Sequence, residues 1–303
     1  MLGDREGELG APRASRRAPG RVLLRACRPR QWLKNGLVAL APAAAGTLTR
    51  AATLEAVLET FVAFCLLSSA TYLLNDVRDR AEDRRHPRKQ LRPVAAGELS
   101  PRGALRIALI LAILGFACAV AVSPLTVLIA VCYIALTTSY SLWWRRLVVL
   151  DIVAVAAGFL LRAVAGAAAA NVPLSRAFLI VTSACALFLV AGKRYAELRD
   201  RHARGRARAA LARYSRTFLL RLLVGAATLG CGAYVWWAFG RPEPEAWFEL
   251  STVPFVTWLV RYGVMLGRGA GEAPEELVLR DRTLLSLAAL WLVLFVGGTY
   301  GAR

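Results

Sequence analysis

Residues 75–97, NDVRDRAEDRRHPRKQLRPVAAG, hold four carboxylates and seven Lys or Arg in 23 positions, between two long apolar runs. Asn75, Asp79 and Asp83 are spaced i, i+4, i+8, and Asp76 joins Asp79 and Asp83 at i, i+3, i+7. On a helix running out of the preceding apolar segment these groups share one face. Like charges so placed repel, and a divalent cation resolves the conflict. Hard oxygen ligands that only partly enclose a cation suit Mg²⁺ shared with a substrate's phosphates, with Asn75, Asp79 and Asp83 as its ligands. Then comes HPRKQLRP, in which Pro87 and Pro93 stop the helix while His86, Lys89 and Arg92 bring positive charge. Acids for a metal followed by bases for phosphate oxygens are what a pyrophosphate site needs. A solvated loop of alternating charge is the plain alternative.

These groups must be positioned by elements that live in lipid. The chain is 57% hydrophobic, above the roughly 45–50% of a soluble domain, and its +19 net charge is clustered rather than spread. Apolar runs of 16–24 residues are long enough to cross a hydrocarbon core of about 30 Å. The expected fold class is an all-α polytopic membrane protein with nine transmembrane spans, at 32–48, 56–74, 104–122, 125–142, 147–170, 177–192, 217–239, 251–267 and 283–300. Alternate connections hold 30 Lys/Arg against four, Arg50, Arg176, Arg241 and Arg303. The positive-inside rule therefore puts the N-terminus and the loops 75–103 and 193–216 in the cytosol, and the C-terminus outside. The basic residues punctuate apolar spans and form no continuous basic domain, which argues against nucleic acid. The six cysteines, none in CxxC spacing, read as small buried hydrophobes, and two histidines exclude a His-rich metal site. Residues 1–27 read as a disordered basic tail and 28–303 as one catalytic domain. The stretch 199–213, RDRHARGRARAALAR, reads as a basic helix against anionic phospholipid head groups.

With Asn75, Asp76, Asp79 and Asp83 matching NDxxDxxxD, the chain resembles the UbiA superfamily of membrane transferases, in span number and loop placement over nearly its whole length. Within it, RPRQWLKN (28–35), HPRKQLRP (86–93) and GKRYAEL (192–198) are similar to the decaprenyl-phosphate phosphoribosyltransferase branch. So are LDIVAVAAGFLLRAVAG (150–166) and GEAPEELVLRDR (271–282). The resemblance implies a UbiA-type bundle with a cytosol-facing cavity in an actinobacterial cell membrane. It implies Mg²⁺-dependent transfer of 5-phosphoribose from phosphoribosyl pyrophosphate to a polyprenyl phosphate, for cell-wall arabinan precursors, with a homo-oligomer possible. The residues so implied as catalytic are Asp76, Asp79, Asp83, Lys89 and Arg92. Those implied for substrate binding are Gln31, Lys34, Asn35, His86, Tyr140, Arg145, Asp151, Arg162, Lys193, Arg194, Tyr195 and Glu197.

The chain departs from the family where its aromatic prenyltransferases carry a second aspartate motif. Tyr195-Ala196 remains, but Gly192 and Arg199 stand at the flanking positions, beside Lys193 and Arg194. Cations there suit a second phosphate better than a second metal. Arg145 stands for the usual Lys of YSxxLK. The chain uses arginine 36 times and lysine three times, and Lys34, Lys89 and Lys193 all fall in the resembling segments. Arg162, in mid-span and three turns after Asp151, is open between a structural pair, a phosphate anchor and a substrate contact. Trp143-Trp144 and Trp236-Trp237 read as interface aromatics, and Glu275, Glu276 and Asp281 as a lid or a cap. An aromatic prenyltransferase and a transporter remain as alternatives; the second would carry paired broken spans in two matching halves.

Overall fold

The computed structural model describes residues 18–144, 147–204, 214–240, 246–268 and 274–301, without side chains at 200–204 and 274–276. The regular elements among the described residues are all helical: α1 Pro19–Cys27, α2 Leu40–Ala44, α3 Ala51–Arg78, α4 Arg80–Arg84, α5 Pro101–Val122, α6 Pro124–Leu142, α7 Val148–Ala169, α8 Arg176–Arg204, α9 Arg216–Phe239, α10 Ala246–Gly267, α11 Pro274–Arg280 and α12 Arg282–Tyr300. Two 3-10 stretches join them, Pro29–Ala39 and Lys89–Leu91. Eight helices, α3, α5–α10 and α12, are long and apolar enough to cross a membrane. Ser100, Ser123, Ser215 and Asp281 start α5, α6, α9 and α12 by accepting a backbone N–H three residues on. The chain is a multi-pass membrane protein, in which α3 is the most enclosed of the eight spans and α12 the least.

The first expected span is different in kind. Residues 32–48 do not form a continuous α-helix; the 3-10 stretch Pro29–Ala39 runs into the five-residue α2. At about 2.0 Å per 3-10 residue and 1.5 Å per α residue, the pair reaches roughly 30 Å, a bilayer's hydrocarbon depth. Its ends confirm the reach. Arg28 pairs with Asp76 at the C-terminal end of α3, while the carbonyl of Ala43 accepts from Tyr300 at the far end of α12, 3.4 Å away. Irregular backbone at membrane depth is tolerated where protein encloses it, and Asn35, Val38 and Ala41 are buried. Gly166 on α7 makes the enclosure possible: a Cβ there would lie 1.6 Å from the carbonyl oxygen of Val38.

Two other boundaries move. The expected tail ends earlier, because Pro19–Cys27 fold as α1 with Val22, Ala26 and Cys27 buried. Pro19 opens that helix, and its apolar spacing gives it a face to bury. The left-handed Arg28 (φ 55) then turns the chain into the 3-10 stretch. The second long loop is also shorter than expected, since α8 continues to Arg204 beyond its apolar window. The rest of the basic stretch, 205–213, lies outside the described residues.

Candidate active site

The C-terminal ends of α3 and α6 meet at one end of the bundle. Arg78 donates to the carbonyls of Ser141 and Leu142, fastening the end of α3 to the end of α6. Helical hydrogen bonds run from Asp79 N to Asn75 O and from Asp83 N to Asp79 O, both 2.8 Å, so α3 and α4 make a nearly continuous rod with a break at Asp79. Asp76 and Asp83, seven residues apart, are its buried acids, while Asn75 and Asp79 are half-buried.

One guanidinium bridges those two acids. Arg92 Nη1 donates to Asp76 Oδ1 at 3.1 Å and to Asp83 Oδ2 at 2.7 Å. Arg28, whose guanidinium also lies over the Tyr72 ring, donates to the same Asp76 oxygen. Burial pushes the Arg28 guanidinium below its ordinary pKa, and Asp76 opposes that shift. Lys89 Nζ stands 3.6 Å from Asp83 Oδ1, an ion pair beyond hydrogen-bond length. Each carboxylate thus has one oxygen on a guanidinium and one, Asp76 Oδ2 or Asp83 Oδ1, buried with no hydrogen-bond partner among the described residues. A buried acceptor left so costs on the order of 1–3 kcal/mol, more when charged, so these oxygens are poised for a cation or donor from outside the chain. His86 holds the turn, its Nδ1 accepting from the backbone N–H groups of Arg88 and Lys89 at 3.2 and 3.3 Å.

The fit to Mg²⁺ is partial in a specific way. Among the described residues no three Asp, Glu, His or Cys side chains converge as a metal cage. Two buried carboxylate oxygens with open valence suit a cation whose other ligands come from phosphate and water.

A second cluster lies between α7 and α8, and it is closed. Arg194 Nε and Nη2 grip the two oxygens of Asp151 at 2.7 and 2.8 Å, while Nη1 reaches Glu197 at 2.7 Å. Tyr140 donates to Asp151 at 2.7 Å, and Tyr214 donates to it from just before α9. Burial first, then the bond to Asp151, raises the Tyr214 phenol above its ordinary pKa, so it stays a neutral donor. Asp151 joins α6, α7, α8 and the approach to α9, and the expected phosphate-binding Arg194 is occupied in that joint. Tyr195 faces the α9 side, where its hydroxyl accepts from Arg216 at 3.2–3.3 Å. Lys193 is half-buried on the same turn.

Arg162 resolves into a structural clasp. Its guanidinium donates to Asn35 Oδ1, Gly158 O and Tyr133 Oη at 2.7, 2.7 and 2.8 Å, deep in the bundle. Asn35 in turn reaches Cys65 and Ser68 on α3 at 3.3 Å. The clasp pins the irregular first crossing to α3, α6 and α7, so Asn35 and Arg162 are kept from the charged end. Gln31 and Lys34 are half-buried on the 3-10 stretch, and Arg145 lies outside the described residues. Asp281 caps α12 and takes a two-pronged bond from Arg261 at 2.7–3.0 Å, which supports the cap rather than the lid. Away from these charges, an apolar cavity of about 180 Å³ opens between α8, α10 and α12, lined by Phe188, Pro254, Trp258 and Trp291 among others. It offers no chemistry.

Sequence spacing missed three participants. Arg28 stood at the head of a singled-out segment, Tyr133 had no signal beyond its span, and Tyr214 lay one residue past the stretch read as a basic helix.

Comparison with known proteins gives the family and the fold. The sequence model of the UbiA prenyltransferase family matches residues 36–278. A Mycobacterium tuberculosis protein named decaprenyl-phosphate phosphoribosyltransferase is 40% identical over 276 residues, covering 89% of this chain and 91% of the relative. Its namesake from Corynebacterium glutamicum is 38% identical over 288 residues, 92% of this chain and 86% of the relative. A solved UbiA homolog from Archaeoglobus fulgidus bound to GPP and Mg²⁺ superposes with a TM-score of 0.68 at 18% identity, over 92% of this chain and 98% of that one.

Proposed function

Since the chain belongs to the UbiA prenyltransferase family, we propose that it transfers 5-phosphoribose from phosphoribosyl pyrophosphate to a polyprenyl phosphate and releases pyrophosphate. The relatives named for that activity support the substrates, decaprenyl phosphate among them, over about nine-tenths of both chains. The observation that carries the chemistry is the half-satisfied pair Asp76 and Asp83 among the cations Arg28, Lys89 and Arg92.

Mg²⁺ held by Asp76 and Asp83, with Asn75 and Asp79 within a turn, would neutralise charge on the donor's pyrophosphate. Arg28, Arg92 and Lys89 can then exchange carboxylate for phosphate oxygens and hold the leaving group, a charge-assisted contact of roughly 1.5–3 kcal/mol each. The acceptor's phosphomonoester is already an anion at pH 7, with a second pKa of about 6, so no general base is required. Its oxygen attacks ribose C1 from the side opposite the pyrophosphate. The C1–O bond to pyrophosphate breaks as the new one forms, and the configuration at C1 inverts. Catalysis is positioning plus charge stabilisation. The positive-inside asymmetry supports a cytosolic position for this end of the bundle, and its basic surface suits anionic phospholipid.

The test is direct. Purified protein given labelled phosphoribosyl pyrophosphate and polyprenyl phosphate moves label into the lipid phase, and EDTA stops it. Label confined to water, or prenyl transfer to an aromatic acid, overturns the reading.

A further inference from the structure

Helix α1 carries more apolar surface than the bundle covers. Val22, Ala26, Leu23, Cys27 and Leu24 occupy one arc of it, with Arg21 and Arg25 on the remaining arc. Val22, Ala26 and Cys27 are buried, Ala26 in a core with Ala70 and Leu73 of α3 and Ala104 and Ala108 of α5. Leu23 and Leu24, however, are 40% and 55% exposed. Close by, Leu91 is 65% exposed, and its carbonyl accepts from Arg25, which also pairs with Glu98 at 2.7 Å. Leu33, just past the turn at Arg28, is 71% exposed.

This open apolar edge is continuous with lipid-facing surface. The first turns of α5 expose Leu105 and Leu109 beside the α1 contact. A short helix with apolar residues toward such a surface and arginines along its other arc lies in the membrane plane at head-group depth. The next residue after it is Arg28, which bonds Asp76. The same element therefore offers a hydrocarbon edge, cations at phosphate depth and a covalent lead into the charged pair.

We infer that α1, with Leu91 and Leu33, is the docking surface for the lipid acceptor: an anionic phosphomonoester on a long hydrocarbon chain. Isoprene units beyond the second lie against Leu23 and Leu24, and the phosphate is drawn past Arg21 and Arg25 toward Arg28 and Arg92. Bulk anionic phospholipid has the same charge but no reason to enter the site. The inference rests on the proposed transfer and adds how the lipid substrate reaches it.

The full chain is reconstituted in phosphatidylcholine vesicles holding polyprenyl phosphate, and Leu23→Gln/Leu24→Gln is compared with wild type. The KM for the long-chain acceptor should rise about tenfold, from lost apolar contact. The KM for phosphoribosyl pyrophosphate, and turnover of a two-isoprene phosphate added from water, should stay within twofold. Arg21→Gln, an exposed change that spares packing, should raise the same acceptor KM about threefold. An unchanged long-chain KM in both variants overturns the inference. So does an equal loss on the short acceptor and on the donor, because that means a distorted site. Loss of the difference when phosphatidylglycerol is added to 20 mol% overturns it as well, by assigning the face to bulk lipid. No transfer by the wild type sinks the underlying function instead.

Discussion

The two charged clusters use the same residue types to opposite ends. In the α7–α8 cluster every Asp151 oxygen has donors, and Arg194 spends its three nitrogens on Asp151 and Glu197. In the α3–α4 cluster two buried carboxylate oxygens have no hydrogen-bond partner among the described residues, although three cations surround them. Charge alone does not mark a site; unspent charge does. A saturated pair is a joint between helices, and a half-saturated one is able to exchange partners with a ligand.

That contrast can be broken by substitution. The largest effect belongs to Asp83. Asp83→Ala leaves Arg92 and Lys89 without their acid and removes a proposed metal oxygen. Phosphoribosyl transfer should fall at least 10²–10³-fold in initial-rate assays. Asp151→Ala should act on folding instead. It strips Arg194 of its two-pronged partner in a mostly buried setting, which costs about 3 kcal/mol, read from the denaturation midpoint. In the protein that remains folded, the KM for phosphoribosyl pyrophosphate should stay within twofold of wild type. Arg194→Lys keeps the charge and loses the planar fork, so about 1 kcal/mol of stability should go with transfer nearly intact. Residual transfer that tracks Arg194 more than Asp83 would reverse the assignment of the two clusters.

The smallest effect is a pH dependence at a third joint. The hydrogen bond from Arg261, then that from Leu284 N, holds the Asp281 carboxyl below its ordinary pKa. A depressed carboxylate stabilises above its unfolded value of about 4 and loses that contribution as pH falls through the folded value. The melting-temperature gap between wild type and Asp281→Asn should therefore be fullest at neutral pH and shrink below about pH 4.

The eight α-helical spans were legible because apolar length alone decides them. The first crossing was legible as a crossing but not in its backbone, since 3-10 geometry is set by enclosure and by the Gly166 approach. The extension of α8 to Arg204 overlaps the stretch 199–213 read as a basic helix, but its continuity with the span was not legible, because a charged helix outside lipid has no apolar signal. In the site, Asp76, Asp83 and Arg92 lie within one quoted segment and could be read from spacing. Arg28 could not, as its acid is 48 residues away, nor could the pairing of Arg194, since Asp151 is 43 residues away. Local spacing finds the donors of a site; only the fold says which of them are already taken.

The central claim is that the α3–α4 cluster, and not the α7–α8 cluster, holds the donor's pyrophosphate. Calorimetric titration of pyrophosphate with Mg²⁺ into the full chain tests it without turnover. The account predicts that Asp83→Asn weakens this binding at least tenfold while Arg194→Gln stays within threefold of wild type. Tight binding by Asp83→Asn together with a tenfold loss in Arg194→Gln would contradict it.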